Sequence, residues 1–154
     1  MAQLCLLKRK PEIVVMSETK LNSSVSHPSM AGYELIARKD NGVKQHGGGI
    51  LVYVDTKLAP RVTFMGESQE ADRVWVMLHS SQGPYLLGAW YRAPSAQVDA
   101  TVTSLRDELE QHRPSALGTF LVGDMNLHHS RWLGSSCTTP AGEALRGIAS
   151  DYGM

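Results

Sequence analysis

From Tyr33 to Trp90 the chain is a succession of strand-length stretches, and this succession constrains the fold more than any other feature. Tyr33 to Arg38, Gly48 to Val54, Arg61 to Phe64, Arg73 to His79 and Tyr85 to Trp90 are apolar or alternating and rich in β-branched and aromatic residues. The last two are split by Ser80-Ser81-Gln82-Gly83-Pro84, a turn by composition. Strands this close together pair antiparallel, so a meander is expected. Ile13-Val14-Val15, within Glu12 to Met16, adds a short buried strand upstream.

Helical spacing enters after residue 94. Val98, Val102, Leu105 and Leu109 mark an amphipathic helix over Ser95 to His112, ended by Arg113-Pro114-Ser115. Ala141, Ala144, Leu145 and Ile148 mark another near the end of the chain. Met1 to Lys10 reads as a helix end, with Leu4, Leu7 and Cys5 forming a stripe, basic residues in the last turn and Pro11 stopping it. Ser17 to Gly32 is polar and reads as a loop. The order helix, strand, run of strands, helix, strand, helix is that of an α+β fold with packed layers. A terminal helix over a sheet usually links two strands, so a fragment of a single domain is expected, with partner strands outside these 154 residues. Its sheets would then have open edges and the monomer would be marginal or prone to aggregate.

Composition narrows the class. With 42% hydrophobic and 19% charged residues, the chain can build a core. A net charge of zero argues against a uniformly basic nucleic-acid coat, while Lys8-Arg9-Lys10 and Arg38-Lys39 leave room for local patches. Cys5 and Cys137 form no disulfide framework, and neither a signal peptide nor a membrane-length apolar stretch is present. An intracellular, membrane-free setting is expected.

The polar residues that could do chemistry fall at strand ends. Thr119 to Val122 reads as a buried strand running into Gly123-Asp124-Met125-Asn126. Residues i and i+2 of an extended chain share a side, so Asp124 and Asn126 can enter one pocket. Turn composition explains the same residues equally well when taken alone. Glu18 lies just past the first strand, and Tyr91-Arg92-Ala93-Pro94 ends another. If these ends are neighbours, the two carboxylates converge. Oxygen ligands with open water positions favour Mg²⁺ or Mn²⁺ over zinc. A tyrosine hydroxyl and a guanidinium can bind phosphate. His128 and His129 follow directly. Adjacent side chains diverge, so joint metal ligation is not expected of them, and a structural or substrate-loop role is. Trp132 is expected to pack over that loop. His46-Gly47-Gly48-Gly49 matches an esterase oxyanion loop, but no Gly-x-Ser-x-Gly turn accompanies it. Its glycines read instead as a strand start closely approached by other backbone.

Ser17-Glu18-Thr19-Lys20-Leu21, Gly47-Gly48-Gly49-Ile50-Leu51-Val52-Tyr53-Val54, Tyr91-Arg92-Ala93-Pro94 and Gly123-Asp124-Met125-Asn126, in this order, resemble the endonuclease/exonuclease/phosphatase superfamily with its DNase I-like fold. Asn126-Leu127-His128-His129-Ser130-Arg131-Trp132 is similar to the endonuclease domain of non-LTR, LINE-type retrotransposons. The resemblance implies a four-layered α/β sandwich, here partial, and Mg²⁺-dependent phosphodiester hydrolysis. Under it Glu18 would be the metal ligand. Asp124 would orient or deprotonate water, Asn126 would hold the phosphate or that water, and Tyr91 would support the transition state. Arg92, His128 and His129 would contact phosphate or DNA. The implied partners are DNA and, in a parent polyprotein, a reverse transcriptase, with no obligate oligomer. The family's asparagine-bearing first strand and its terminal Asp-His pair have no match in this sequence. A non-catalytic remnant and a phosphatase or lipid phosphodiesterase are therefore the alternatives.

Overall fold

The structure is a computed structural model that describes residues 10–26, 28–40 and 48–154. Seven strands form two sheets. Sheet A holds β1 (Ile13–Ser17), β2 (Tyr33–Lys39) and β3 (Ile50–Asp55) in the order β1-β3-β2, antiparallel throughout. Sheet B holds β4 (Val62–Glu67), β5 (Asp72–Ser80), β6 (Gly83–Tyr91) and β7 (Gly118–Asp124) in sequence order. The β4-β5-β6 portion is the expected meander. Sheet A is not one, because β3 inserts between β1 and β2. The pair β6-β7 is parallel and needs a crossover, which is made by α1 (Val98–His112). A second helix, α2 (Pro140–Tyr152), follows.

Sheet B has cover on both faces, and its sequence reflects that. Along β5, Val74 and Val76 face sheet A, where Val52, Val54, Leu87 and Ala89 complete the inter-sheet core. Trp75 and Met77 alternate to the other face and meet Leu105, Leu109, Leu145 and Ile148 of the two helices. Strands buried on both faces read as continuous apolar runs rather than alternating ones. Each helix side chain fully buried here contributes about 1.5–3 kcal/mol. Helix α2 buries Ala141, Leu145, Ile148 and Ala149, whereas Ala144, expected on that stripe, is exposed.

One polar network sits inside the helix-facing layer. The fully buried Arg73 donates from Nε and Nη2 to both carboxylate oxygens of Glu108, at 2.7 and 2.9 Å, and from Nη2 to Ser104. The Trp75 indole donates to Glu108 at 2.6 Å. Burial pushes the Glu108 carboxyl up, but the Arg73 hydrogen bonds and charge, with help from Ser68 and Trp75, outweigh it and hold the group below its ordinary value. This network fastens the crossover helix to the sheet.

The outer face of sheet A is covered among the described residues by the loop after β1. Met30 packs on Leu51 and Tyr53, with Leu21 and Tyr33 beside them. Arg38 donates to the carbonyls of Asn22 and Val25, and Tyr53 donates to Pro28. Of the four expected layers, two sheets and one helical layer are thus described. Of the helix expected over Met1 to Lys10, residues 1–9, with Cys5 and Lys8-Arg9, lie outside the described residues, as do the glycine-loop residues His46-Gly47; Lys10 is described outside any helix and pairs with Asp55 at 2.7 Å. No described helix is long and apolar enough to cross a membrane.

The sandwich has two unlike flanks. On one flank β2 lies over β4. Both are bulged, between Leu35 and Ala37 and between Phe64 and Gly66, and they carry Glu34, Arg38, Lys39 and Glu67. On the other flank β1 lies over β7. Neither of these is bulged, and their only charged residue is the terminal Asp124.

Candidate active site

Three strand ends meet at one end of the sandwich. Strands β6 and β7 are parallel and in register, so Tyr91 pairs with Asp124 where both leave the sheet. Strand β1 lies over them and ends at Ser17, one residue before Glu18. The Tyr91 hydroxyl donates to Glu18 Oε1 at 2.5 Å, which joins the two sheets across the site. Glu18 and Asp124 are otherwise exposed, and Tyr91 is buried.

Gly123 makes this register attainable. Its φ is +132°, and a Cβ there would lie 2.0 Å from the Trp90 carbonyl oxygen. Only glycine lets β7 approach β6 this closely at the point where Asp124 emerges. The loop beyond is closed by local bonds. Asp124 Oδ1 accepts the Asn126 amide at 3.2 Å, and Asn126 Nδ2 donates to the Arg92 carbonyl at 2.9 Å. The Arg92 amide donates to the Asp124 carbonyl at 2.9 Å.

Backbone strain concentrates here. Among the described residues, the non-glycine positions with positive φ are Glu18 (+52°), Lys20 (+55°) and Asn126 (+47°). Such conformations cost roughly 1–3 kcal/mol each and persist where surrounding bonds fix them, often at functional sites. For the first two the fixing bonds are Thr19 N–H to the Gly49 carbonyl and Lys20 N–H to the Gly48 carbonyl. The glycines expected to accept close backbone approach do so at Gly48 and Gly49.

Electrostatics follow from the geometry. The Tyr91 phenol is pushed up to about 12, first by its hydrogen bond to Glu18, then by burial and by the charges of Glu18, Asp124 and Asp72. It therefore remains a proton donor at any physiological pH. Asp72 was not anticipated as a neighbour. It pairs with Tyr91 across β5-β6, and counting back from the Ser80–Gly83 hairpin would have found it. Thr19 was also missed: its buried hydroxyl has no partner among the described residues.

The donors at this end are oxygen atoms of carboxylates, a phenol and an amide, which suits Mg²⁺ or Mn²⁺. No group of three or more His, Cys, Asp or Glu side chains clusters among the described residues. A cation here would take one or two carboxylates from the chain and complete its shell with water and phosphate oxygens, the usual habit of Mg²⁺.

The remaining sequence-derived candidates are Arg92, His128 and His129. Arg92 is buried rather than facing solvent, with its guanidinium turned to the carbonyls of Ala96 and Asn126. His129 is also buried, and both ring nitrogens are engaged. Nδ1 accepts from the amides of Arg131 and Trp132, and Nε2 bonds Glu143 of α2 at 2.8 Å. His128 is exposed, and its carbonyl lies so close to α2 that a Cβ on Gly142 would stand 1.9 Å from the oxygen. The neighbouring histidines do diverge, one as a brace and one toward solvent. Trp132 rests edge-on against His129.

No family model matches the sequence, and no curated protein matches it. Among solved structures the chain is similar to the endonuclease domain of TRAS1, a telomere-specific non-LTR retrotransposon. The TM-score is 0.70 at 16% identity, over 99% of this chain and 64% of that one. It is also similar to a humanized D. rerio TDP2 carrying 14 mutations, with TM-score 0.50 and 14% identity over 90% of this chain and 58% of that one. The chain thus spans less than two thirds of either solved chain. With its two packed sheets and the helices on sheet B, the chain has the DNase I-like fold.

Proposed function

We propose that this chain carries the hydrolytic face of a Mg²⁺-dependent phosphodiesterase of the retrotransposon endonuclease type, with DNA as substrate. The observation that carries the reading is the meeting of Glu18, Tyr91 and Asp124 at one end of the sandwich, with Tyr91 bonded to Glu18 and in register with Asp124. Glu18 would hold the cation, which would supply charge to offset the phosphate and the leaving oxygen. Asp124 accepts a proton from, and orients, the attacking water. Asn126 holds that water or a phosphate oxygen through its amide. Tyr91, kept protonated, would turn its single O–H from Glu18 toward charge developing on the phosphate. The likeness to a retrotransposon endonuclease domain favours DNA over a phospholipid or a phosphorylated inositol.

The second reading is a non-catalytic domain that retains the cation site. Nicking of supercoiled plasmid with Mg²⁺ distinguishes the two. The proposal expects slow nicking that disappears in Glu18→Ala and Asp124→Ala. Nicking that survives both substitutions would show that the assigned groups are wrong. Mg²⁺ binding by calorimetry without nicking supports the second reading. Turnover of inositol phosphates but not plasmid or abasic DNA would move the substrate to the phosphatase branch.

A further inference from the structure

We propose that Arg92 is a positioning residue that sets the conformation of Asn126, rather than a residue that grips phosphate from solution. The kinetic consequence rests on the phosphodiesterase reading; the structural claim does not. Arg92 directly follows Tyr91, and its side chain lies beneath the loop that follows β7, with only 5% of the residue exposed. Its main chain and side chain hold that loop together. The Arg92 amide donates to the Asp124 carbonyl at 2.9 Å. Its carbonyl accepts from Asn126 Nδ2 at 2.9 Å. From the guanidinium, Nη1 donates to the Asn126 carbonyl at 3.4 Å, and Nη2 donates to the Ala96 carbonyl.

Two consequences follow. A carbonyl only accepts, so the nitrogen of the Asn126 amide must face Arg92, and the amide oxygen is turned away from it. The side-chain orientation available to water is therefore set by the main-chain carbonyl of Arg92, and the guanidinium acts on it by holding the Asn126 backbone in place. Second, Asn126 sits at φ +47°, a conformation that needs outside support, and the Nη1 bond to its own carbonyl supplies part of it. Only a planar fork can reach the carbonyls of Ala96 and Asn126 together, which a lysine ammonium cannot do in the same way. The arrangement also has a cost: among the described residues Nε is buried without a partner, and the guanidinium faces carbonyl oxygens. A guanidinium meant for passing phosphates would not be enclosed like this.

The test compares Arg92→Met and Arg92→Lys with the parent chain, using two readouts. In ¹⁵N NMR of the protein without DNA, Arg92→Met should shift the Asn126 backbone and side-chain amide resonances and speed their exchange. Arg92→Lys should do so to a smaller extent. In plasmid nicking, kcat should fall about 10- to 100-fold in Arg92→Met, as expected for a displaced group at a reacting centre. KM should hold, and Arg92→Lys should recover part of the loss. A phosphate grip predicts the reverse pattern: raised KM, a salt slope of DNA binding reduced by about one, and unmoved Asn126 resonances. Unmoved resonances in Arg92→Met overturn the proposal, whatever the activity. If Arg92→Met does not fold, the Arg92→Lys spectrum decides alone, since unmoved Asn126 signals there also overturn it. Absence of nicking in the parent chain defeats the phosphodiesterase reading while the spectra still judge Arg92.

Discussion

Gly123→Ala is the substitution whose outcome the structure determines most directly. The added Cβ would lie 2.0 Å from the Trp90 oxygen, and side-chain carbons essentially never approach closer than 3.0 Å, so β6 and β7 must part by an ångström or more at this pair. The backbone must also leave φ +132° or hold an L-residue where such residues are strained. Strain of this kind costs about 1–3 kcal/mol. Losing one or two hydrogen bonds of the β6-β7 ladder adds about 1 kcal/mol each. A total of about 2–5 kcal/mol is expected, a large part of the roughly 5–15 kcal/mol available to a domain. Urea unfolding followed by circular dichroism measures it. Gly66→Ala is the control: φ is +148° there, but nothing lies within 4 Å of the new carbon, so it carries the conformational cost without the collision. If Gly123→Ala destabilises no more than Gly66→Ala, the close approach to Trp90 does not govern this strand end. In variants that still fold, displacement of Asp124 should lower nicking about 10²-fold.

Other outcomes follow from single contacts. Glu108→Leu leaves Arg73 buried and unpaired and should cost about 3–5 kcal/mol in urea melts, while Arg73→Met with Glu108→Leu should recover most of it. Because the folded state holds the Glu108 carboxyl low, its contribution is complete above the unfolded value near 4.5 and is lost as pH falls through the folded value; Glu108→Gln should flatten that part of an acid titration of stability. Tyr91→Phe should abolish most nicking, and because the folded-state phenol is raised to about 12, it should also remove the loss of stability that Tyr91 causes as pH climbs from 10 through that value. Lys20→Gly relieves a φ of +55° on an exposed residue and should stabilise by about 1 kcal/mol, readable as a rise in melting temperature. Light scattering should show association that grows with concentration, and Phe120→Lys, at a residue 53% exposed on β7, should suppress it; a monodisperse parent chain at high concentration would count against the bare flank as a liability.

The elements were legible where one physical signal dominated. Continuous apolar runs marked β3, β5 and β6 because both faces of each strand are buried, and Leu105 with Leu109 marked α1. Pairing between distant strands left no local trace, so the insertion of β3 between β1 and β2 could not be read from turn spacing. Glu18, Tyr91, Asp124 and Asn126 were legible as polar residues at strand ends, and that these ends meet depended on the sheet order. The resemblance implies phosphate or DNA contact for Arg92 and His129, and the sequence shows nothing of the way their side chains turn. Their inward direction depends on which carbonyls and carboxylates surround them, and those come from residues 4 to 34 positions away.

The two flanks of the sandwich give it a direction of growth. A strand added beside β2 or β4 would meet bulges and charges, whereas one added beside β1 or β7 would find a regular, uncharged backbone edge. Such growth proceeds sideways, across the strands. The Glu18–Tyr91–Asp124 group lies at the strand ends, so polypeptide laid along the bare flank widens the sheets without occupying the space above the site. The chemistry and the architecture occupy separate axes, and one can be extended while the other is left in place.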